Sequence, residues 1–179
     1  MCKVITVFFS RRGYNYCNSS IQYLERGNTE IAAEMIHSAV GGDLFEIETA
    51  RPYAEDYREC CQEAAAELSS NARPELKAYV EDMDQYDTIF VGYPNWCGTV
   101  PMCVRTFLEH YDLSGKYIAP LCTNEGSGLA HSMKDLADSC PGAVILPGLS
   151  VHGSSIRDSG QKIASWAKEM AQRSKNIEK

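Results

Sequence analysis

Short apolar runs alternate with helical periodicities along this chain. Val4 to Phe9 is a continuous apolar stretch of the kind shown by strands covered on both faces. Ile31, Ala32, Met35, Ile36 and Ala39 then recur at helical spacing, opened by Gly27-Asn28-Thr29 and closed by Gly41-Gly42. Asp43 to Ile47 reads as a short strand, Tyr53 to Ser70 as an alanine-rich helix, and Pro74 to Met83 as a shorter helix or turn. The strand Thr88 to Val91 stops in a loop from Tyr93 to Thr99. The second half repeats the alternation: a helix over Pro101 to Tyr111, with proline where a missing N–H does no harm, and a strand over Lys116 to Cys122. A helix over Leu129 to Cys140 follows, then a strand over Ala143 to Val151 interrupted at Pro147-Gly148. The last helix runs from Ser159 to Lys175, with fraying expected over Ser174 to Lys179. Strands alternating with helices predict an α/β fold with right-handed crossovers and a mainly parallel sheet.

Composition narrows the picture. The 179 residues fit one domain with a full hydrophobic core, and 44% hydrophobic with 23% charged residues is an ordinary soluble balance. No apolar run approaches the roughly 18 residues that cross a bilayer. Val4 to Phe9 is too short for a signal peptide and leads into Ser10 and Arg11 without a cleavage site. A formal net charge of −7 argues against nucleic acid as a partner. The eight cysteines form no C-x-x-C and no zinc-like Cys/His spacing, so reduced thiols in a cytoplasmic protein are expected and no metal.

Three strand-end loops carry the chemistry, and a parallel sheet sets them at one edge. The first offers Ser10 and then Gly27-Asn28-Thr29 at a helix start, where hydroxyls and unpaired N–H groups suit an anion. The second, Pro94-Asn95-Trp96-Cys97-Gly98-Thr99, is rigid and aromatic. The third, Thr123-Asn124-Glu125-Gly126-Ser127-Gly128, is small and polar. Singly, each has a plainer reading: a helix cap, a tryptophan plug, a strand-to-helix turn. Together they describe a pocket with a phosphate end, an aromatic wall and a polar edge. Neither a P-loop nor G-x-G-x-x-G occurs, and a response-regulator acid cluster and G-x-S-x-G are both missing.

These residues resemble the flavodoxin-like proteins, in particular the short flavodoxin-fold subgroup. The matching text is V-F-F-S-R (Val7 to Arg11), G-N-T-E (Gly27 to Glu30), D-L-F-E-I-E (Asp43 to Glu48) and R-P-Y-A-E-D-Y (Arg51 to Tyr57). It continues with Tyr86 to Pro101, V-R-T-F-L-E (Val104 to Glu109) and C-T-N-E-G-S-G (Cys122 to Gly128). The resemblance implies a three-layer, doubly wound five-stranded sheet of order 2-1-3-4-5 with FMN at its switch point. It implies that Ser10, Asn28 and Thr29 hold the phosphate, with Arg11 beside them. Pro94, Asn95, Trp96, Cys97, Gly98 and Thr99 would border the isoalloxazine; beside the ring, Cys97 reads as a small buried filler or, alternatively, a reactive thiol. Thr123, Glu125, Gly126, Ser127 and Gly128 would hold the ring's pyrimidine side through backbone donors.

Two departures from that pattern matter. Arg12 to Arg26 separate the serine from G-N-T, an insert with Tyr14, Tyr16 and Tyr23 around an Asn18-Ser19 turn, which predicts a small hairpin shaping access to the flavin. The third loop also has no aromatic, so one flavin face is left to Tyr14, Tyr16 or Tyr57, or to a flat substrate. The resemblance implies FMN-dependent electron transfer or oxidoreductase activity, with a redox partner protein or a small electron acceptor. The alternatives are an NAD(P)H-dependent reductase acting on quinones or similar flat acceptors, and a flavin-free binding module.

Overall fold

A computed structural model describes residues 3–177, with side chains through Ser174; Cys2 and the end of the expected fraying, Glu178 and Lys179, lie outside the described residues. The main sheet is built from β1 (Val4–Phe8), β4 (Asp43–Glu46), β5 (Thr88–Pro94), β6 (Tyr117–Asn124), β7 (Val144–Ile145) and β8 (Leu149–His152). Its order is β4-β1-β5-β6, with β7 and β8 both pairing with β6. Every one of these pairings is parallel. Leu146-Pro147-Gly148 divide the last strand into β7 and β8, since proline has no N–H for a ladder. Counted as one strand, they complete the expected order 2-1-3-4-5.

Alternation along β5 shows why the sheet is covered on both faces. Ile89, Val91 and Tyr93 belong to one core with Phe107, Leu108 and Leu136, while Phe90 belongs to the other with Ile36, Ile163 and Trp166. Helices α3 (Met102–Glu109) and α4 (Ser132–Ser139) supply the first core, and α1 (Asn28–Val40) and α5 (Gly160–Ile177) the second. Each fully buried Ile, Leu or Phe contributes about 1.5–3 kcal/mol of apolar transfer.

Several boundaries move for local reasons. Helix α2 (Tyr57–Ser69) starts at Tyr57 and not Tyr53, because the Asp56 carboxylate accepts the Arg58 and Glu59 N–H groups at 2.9 and 3.0 Å and caps the helix there. Pro74 to Met83 is not a helix: Leu76 bridges to Thr49, and only Met83–Gln85 form a 3₁₀ turn. β5 continues through Pro94, and Tyr93 is fully buried with its hydroxyl donating to Ser132 Oγ at 2.7 Å. Helix α3 begins one residue later than expected, so Pro101 is its N-cap, and α4 begins at Ser132.

The insert forms the hairpin expected of it. β2 (Gly13–Cys17) pairs antiparallel with β3 (Ser20–Leu24), and Asn18 and Ser19 turn at φ +51° and +64°. Two positive φ values in a two-residue loop make a type I′ turn, the one whose twist matches a hairpin. No helix among the described residues is long and apolar enough to cross a membrane.

Candidate functional site

The carboxyl ends of β1, β5, β6 and β8 meet at one edge of the sheet and open on a cleft of about 340 Å³. That volume suits a small ligand, whose pockets run from about 300 Å³ upward. No group of three or more His, Cys, Asp or Glu that could hold a metal occurs among the described residues.

The floor of the cleft is the meeting of β1, α1 and β6. Ser10 is buried, and its Oγ accepts the Glu30 N–H at 3.0 Å in the first turn of α1. Gly27 is what allows that approach, for a Cβ there would collide with Ser10 Oγ and lie 2.8 Å from the Arg11 carbonyl. The Ile31 N–H closes the helix onto Gly27 O, while the Asn28 and Thr29 N–H groups precede any intrahelical acceptor. Thr29 Oγ1 and Thr123 Oγ1 lie 2.7 Å apart, both buried, so one donates to the other and one hydroxyl hydrogen stays free to donate elsewhere.

The aromatic loop is fixed from behind. Asn95 N–H donates to Thr123 O at 2.8 Å, and its side chain donates to Gly128 O and accepts the Gly98 N–H. Trp96 and Thr99 exchange backbone bonds across Cys97 (φ +53°) and Gly98 (φ +82°), a second type I′ turn. The Trp96 ring meets Phe9 edge-on at 5.1 Å and Tyr53 at 4.8 Å while still lining the cleft. Trp96 is therefore both partly core and a wall. Cys97, expected as a buried filler, is exposed at the cleft, because the turn holds it in the left-handed region and points it outward.

Asn124 organises the third loop. Its Oδ1 accepts the N–H groups of Gly126 and Gly128, each at 3.0 Å, and its amide donates to Ser150 Oγ at 2.9 Å. Two of the backbone donors expected to face a ligand are thus already engaged. The Glu125 carboxylate accepts the Ser154 N–H at 2.7 Å and the Asn18 N–H at 3.1 Å, tying the tip of the hairpin to the turn after β8.

Hairpin and α2 make the outer wall. Asn15, Tyr16 and Leu24 face the cleft from the hairpin, and Tyr57, Cys60, Cys61 and Ala64 face it from α2. The Tyr16 and Tyr57 rings lie 6.4 Å apart at 30°. The Arg11 guanidinium donates to Ala54 O and Glu55 O at 2.8 Å and to Tyr14 O, which binds the hairpin to the segment before α2. Burial pushes the Cys60 thiol up to about 11 against the opposing pull of Arg11, and burial with the neighbouring Cys61 pushes the Tyr57 phenol up to about 12. Burial and then Glu125 raise Cys17. These groups are neutral near pH 7, and Arg11 and Glu125 are the basic and acidic side chains among the lining residues.

Of the residues singled out in the sequence, Ser10, Arg11, Asn28, Thr29, Pro94, Asn95, Trp96, Cys97, Thr123, Glu125 and Ser127 line the cleft together. Gly98, Thr99, Gly126 and Gly128 do not; they shape its loops. Thr99 is buried with its hydroxyl donating to Asp135, and Gly98 O accepts the His131 N–H at 2.9 Å. Sequence reasoning missed Asn15, Leu24, Cys60, Cys61, Ala64, Asn124 and Gly153. The α2 set had a signal, since 57, 60, 61 and 64 share one helical face. Gly153 follows the last strand, a fourth strand-end loop at the same edge.

Comparison with known proteins follows the geometry. The flavodoxin family model matches residues 20–170, which leaves β1 and β2 outside the matched span. No significant relative is found among curated proteins. A solved structure from Bacteroides uniformis, assigned as a flavoprotein, is similar at 27% identity and a TM-score of 0.74, over 93% of this chain and 98% of that one. Another so assigned, from Bacteroides eggerthii, is 29% identical with a TM-score of 0.68, over 90% of this chain and 98% of that one. A flavoprotein from Lactobacillus acidophilus in complex with FMN shares the fold at 18% identity and a TM-score of 0.61, over 90% of this chain and 99% of that one.

Proposed function

Since this chain belongs to the flavodoxin family, we propose that its cleft binds FMN and that the protein is an FMN-dependent redox protein, serving electron transfer or oxidoreduction. The observation that carries the reading is the floor: a buried serine hydroxyl, the Asn28 and Thr29 N–H groups at the start of α1 and a buried threonine pair converge on one end of a ligand-sized cleft. That donor set fits a phosphate, which the partial positive charge of the helix end also favours. FMN is the group held by the Lactobacillus acidophilus fold neighbour.

When bound, FMN supplies the electron-accepting and electron-donating chemistry, and the protein binds and orients it. Ser10, Asn28 and Thr29 hold the phosphate. Pro94, Asn95, Trp96 and Cys97 border the ring, with Trp96 held upright by Phe9 and Tyr53. Thr123, Glu125 and Ser127 form the polar edge, while Gly98, Thr99, Gly126 and Gly128 keep the loops in shape. Arg11 acts by position, anchoring the hairpin, because its guanidinium is engaged by backbone carbonyls. The hairpin and α2 exclude water from the outer side and set what reaches the ring. The seven cysteines described are all free thiols, which fits a cytoplasmic protein.

A second reading, a reductase that takes electrons from NAD(P)H and passes them to quinones or similar flat acceptors, is favoured by the third loop's lack of an aromatic. The remaining aromatics, Tyr16 and Tyr57, stand on the hairpin and α2, not on that loop. The test is to supply FMN to the purified protein, record its visible spectrum, and follow reduction by NADH or NADPH in stopped flow. A bound-flavin spectrum with fast direct reduction supports the reductase, and one that needs a partner protein supports the carrier. A protein that takes up no FMN overturns both.

A further inference from the structure

We infer that β3, the outer strand of the hairpin, is a self-pairing edge through which two copies of this chain associate about a two-fold axis at Gln22. Among the described residues β3 pairs only with β2, and Ser20 to Tyr23 are all exposed. The turn fixes which backbone groups remain unused. In a two-residue hairpin the flanking pair, here Cys17 and Ser20, is the hydrogen-bonded one, and bonded pairs then alternate along the ladder. Ser20, Gln22 and Leu24 therefore point their backbone groups at β2. Ile21 and Tyr23 point theirs outward.

Apart from its shortness, the edge carries none of the chemical guards against pairing. Ser20-Ile21-Gln22-Tyr23-Leu24 contains no charge and no proline, and its register with β2 runs without a bulge. Its side chains are also unusually apolar for solvent: Ile21 is 49% exposed and Tyr23 59%, beside Tyr14 at 46% and Tyr16 at 44%. These four share one face of the hairpin, opposite one another as Tyr14–Tyr23 and Tyr16–Ile21. Asn15, Leu24 and the buried Cys17 are on the opposite face, toward the body of the protein, and of the four exposed side chains Tyr16 also lines the cleft, its ring 6.4 Å from that of Tyr57.

The occupant follows from symmetry. A two-fold axis through the middle of this strand, at Gln22, sets Ile21 against the partner's Tyr23 and Tyr23 against the partner's Ile21. Both positions offer outward N–H and C=O groups, so each pair can exchange two backbone bonds in antiparallel register. The same pairs bring an aromatic against a β-branched side chain, a favourable cross-strand match. A net charge of −7 repels a second copy, yet the seam itself is uncharged, and the nearby Arg26 is already paired with Glu30 and Glu34. Association does not have to order the hairpin first. Arg11 binds Tyr14 O, the Asn15 amide binds Arg11 O and Gly13 O, and Glu125 holds the Asn18 N–H. A preformed edge lowers the ordering cost of binding. One short strand per copy is a small seam, so the dimer is weak and concentration-dependent.

The test is sedimentation of the full chain over a wide concentration range, with thermal melts to verify folding. The wild type is expected to pass from monomer to dimer as concentration rises. Ile21→Lys with Tyr23→Lys sets like charges opposite each other across the axis and is expected to weaken association at least tenfold. Ile21→Lys with Tyr23→Glu sets opposite charges there and is expected to restore the dimer, which a fault in folding would not do. A wild type that stays monomeric throughout overturns the inference, as does a dimer indifferent to both pairs of substitutions. Higher mass only in the presence of another protein would assign the edge to a foreign strand and overturn self-pairing.

Discussion

The floor and the outer wall of the cleft are built from different materials. The floor is part of the core: Ser10, Thr29 and Thr123 are buried, bonded to one another's elements, and carried just past β1, on α1 and on β6. The wall hangs on the outside. Its hairpin is joined to the body chiefly by the Arg11 guanidinium, the Glu125 carboxylate and the Arg12 pair to Glu46 and Glu30. A floor made of core cannot change without cost to the fold, whereas a wall held by a few polar clasps can vary independently. The proposed binding floor and the wall that would govern access to it are therefore structurally separable.

Substitutions should expose that separation, with the floor giving the larger effects. Gly27→Ala forces a methyl into Ser10 Oγ and the Arg11 carbonyl. It is expected to lower stability by about 1–3 kcal/mol and to abolish tight FMN binding, read by thermal melts and by flavin fluorescence. Thr29→Val strips one partner from a buried hydroxyl pair. A loss of about 1–3 kcal/mol is expected, with weaker FMN binding alongside it. An unchanged melt would mean that the pair does not brace the floor.

Wall changes should read differently. Glu125→Gln removes the charge that receives the Asn18 and Ser154 N–H groups. Hydrogen exchange across residues 13–24 is expected to quicken while the global midpoint barely moves; equal change in both would show the wall to be part of the core. Thiol alkylation gives a smaller signal of the same kind. Cys61 and Cys97 are exposed at the cleft and should label first, with FMN protecting them, while buried Cys103 and Cys122 stay unlabelled in the native protein. The least effect concerns pH. Burial raises the Cys60 thiol to about 11, above its unfolded value of about 8.5, so its share of stability is full below pH ~8.5 and fades as pH rises toward 11. Cys60→Ala should flatten that alkaline decline in a melt series.

Much of this contrast was legible in the chain. Apolar runs gave the strands, Pro147-Gly148 the break in the last one, Asn18-Ser19 the hairpin turn, and the strand ends put three loops at one edge. What escaped depends on partners distant in sequence. That Asn124 engages the Gly126 and Gly128 N–H groups requires knowing where its side chain turns. Arg11 entered the candidate set only as part of the matching S-R, and its actual partners, the carbonyls of Ala54 and Glu55, are more than forty residues away. Tyr53 read as helical until the Asp56 cap released it to pack on Trp96. Cys97 read as buried because nothing local announces a type I′ turn at Cys97-Gly98.

The central claim is that the floor holds a phosphate. Titrating the purified protein with FMN and with riboflavin, which differ by that group alone, tests it most directly. FMN is expected to bind at least tenfold more tightly, an advantage of about 1.4 kcal/mol or more that Ser10→Ala reduces. Equal affinity for the two flavins, or uptake of neither, would contradict it.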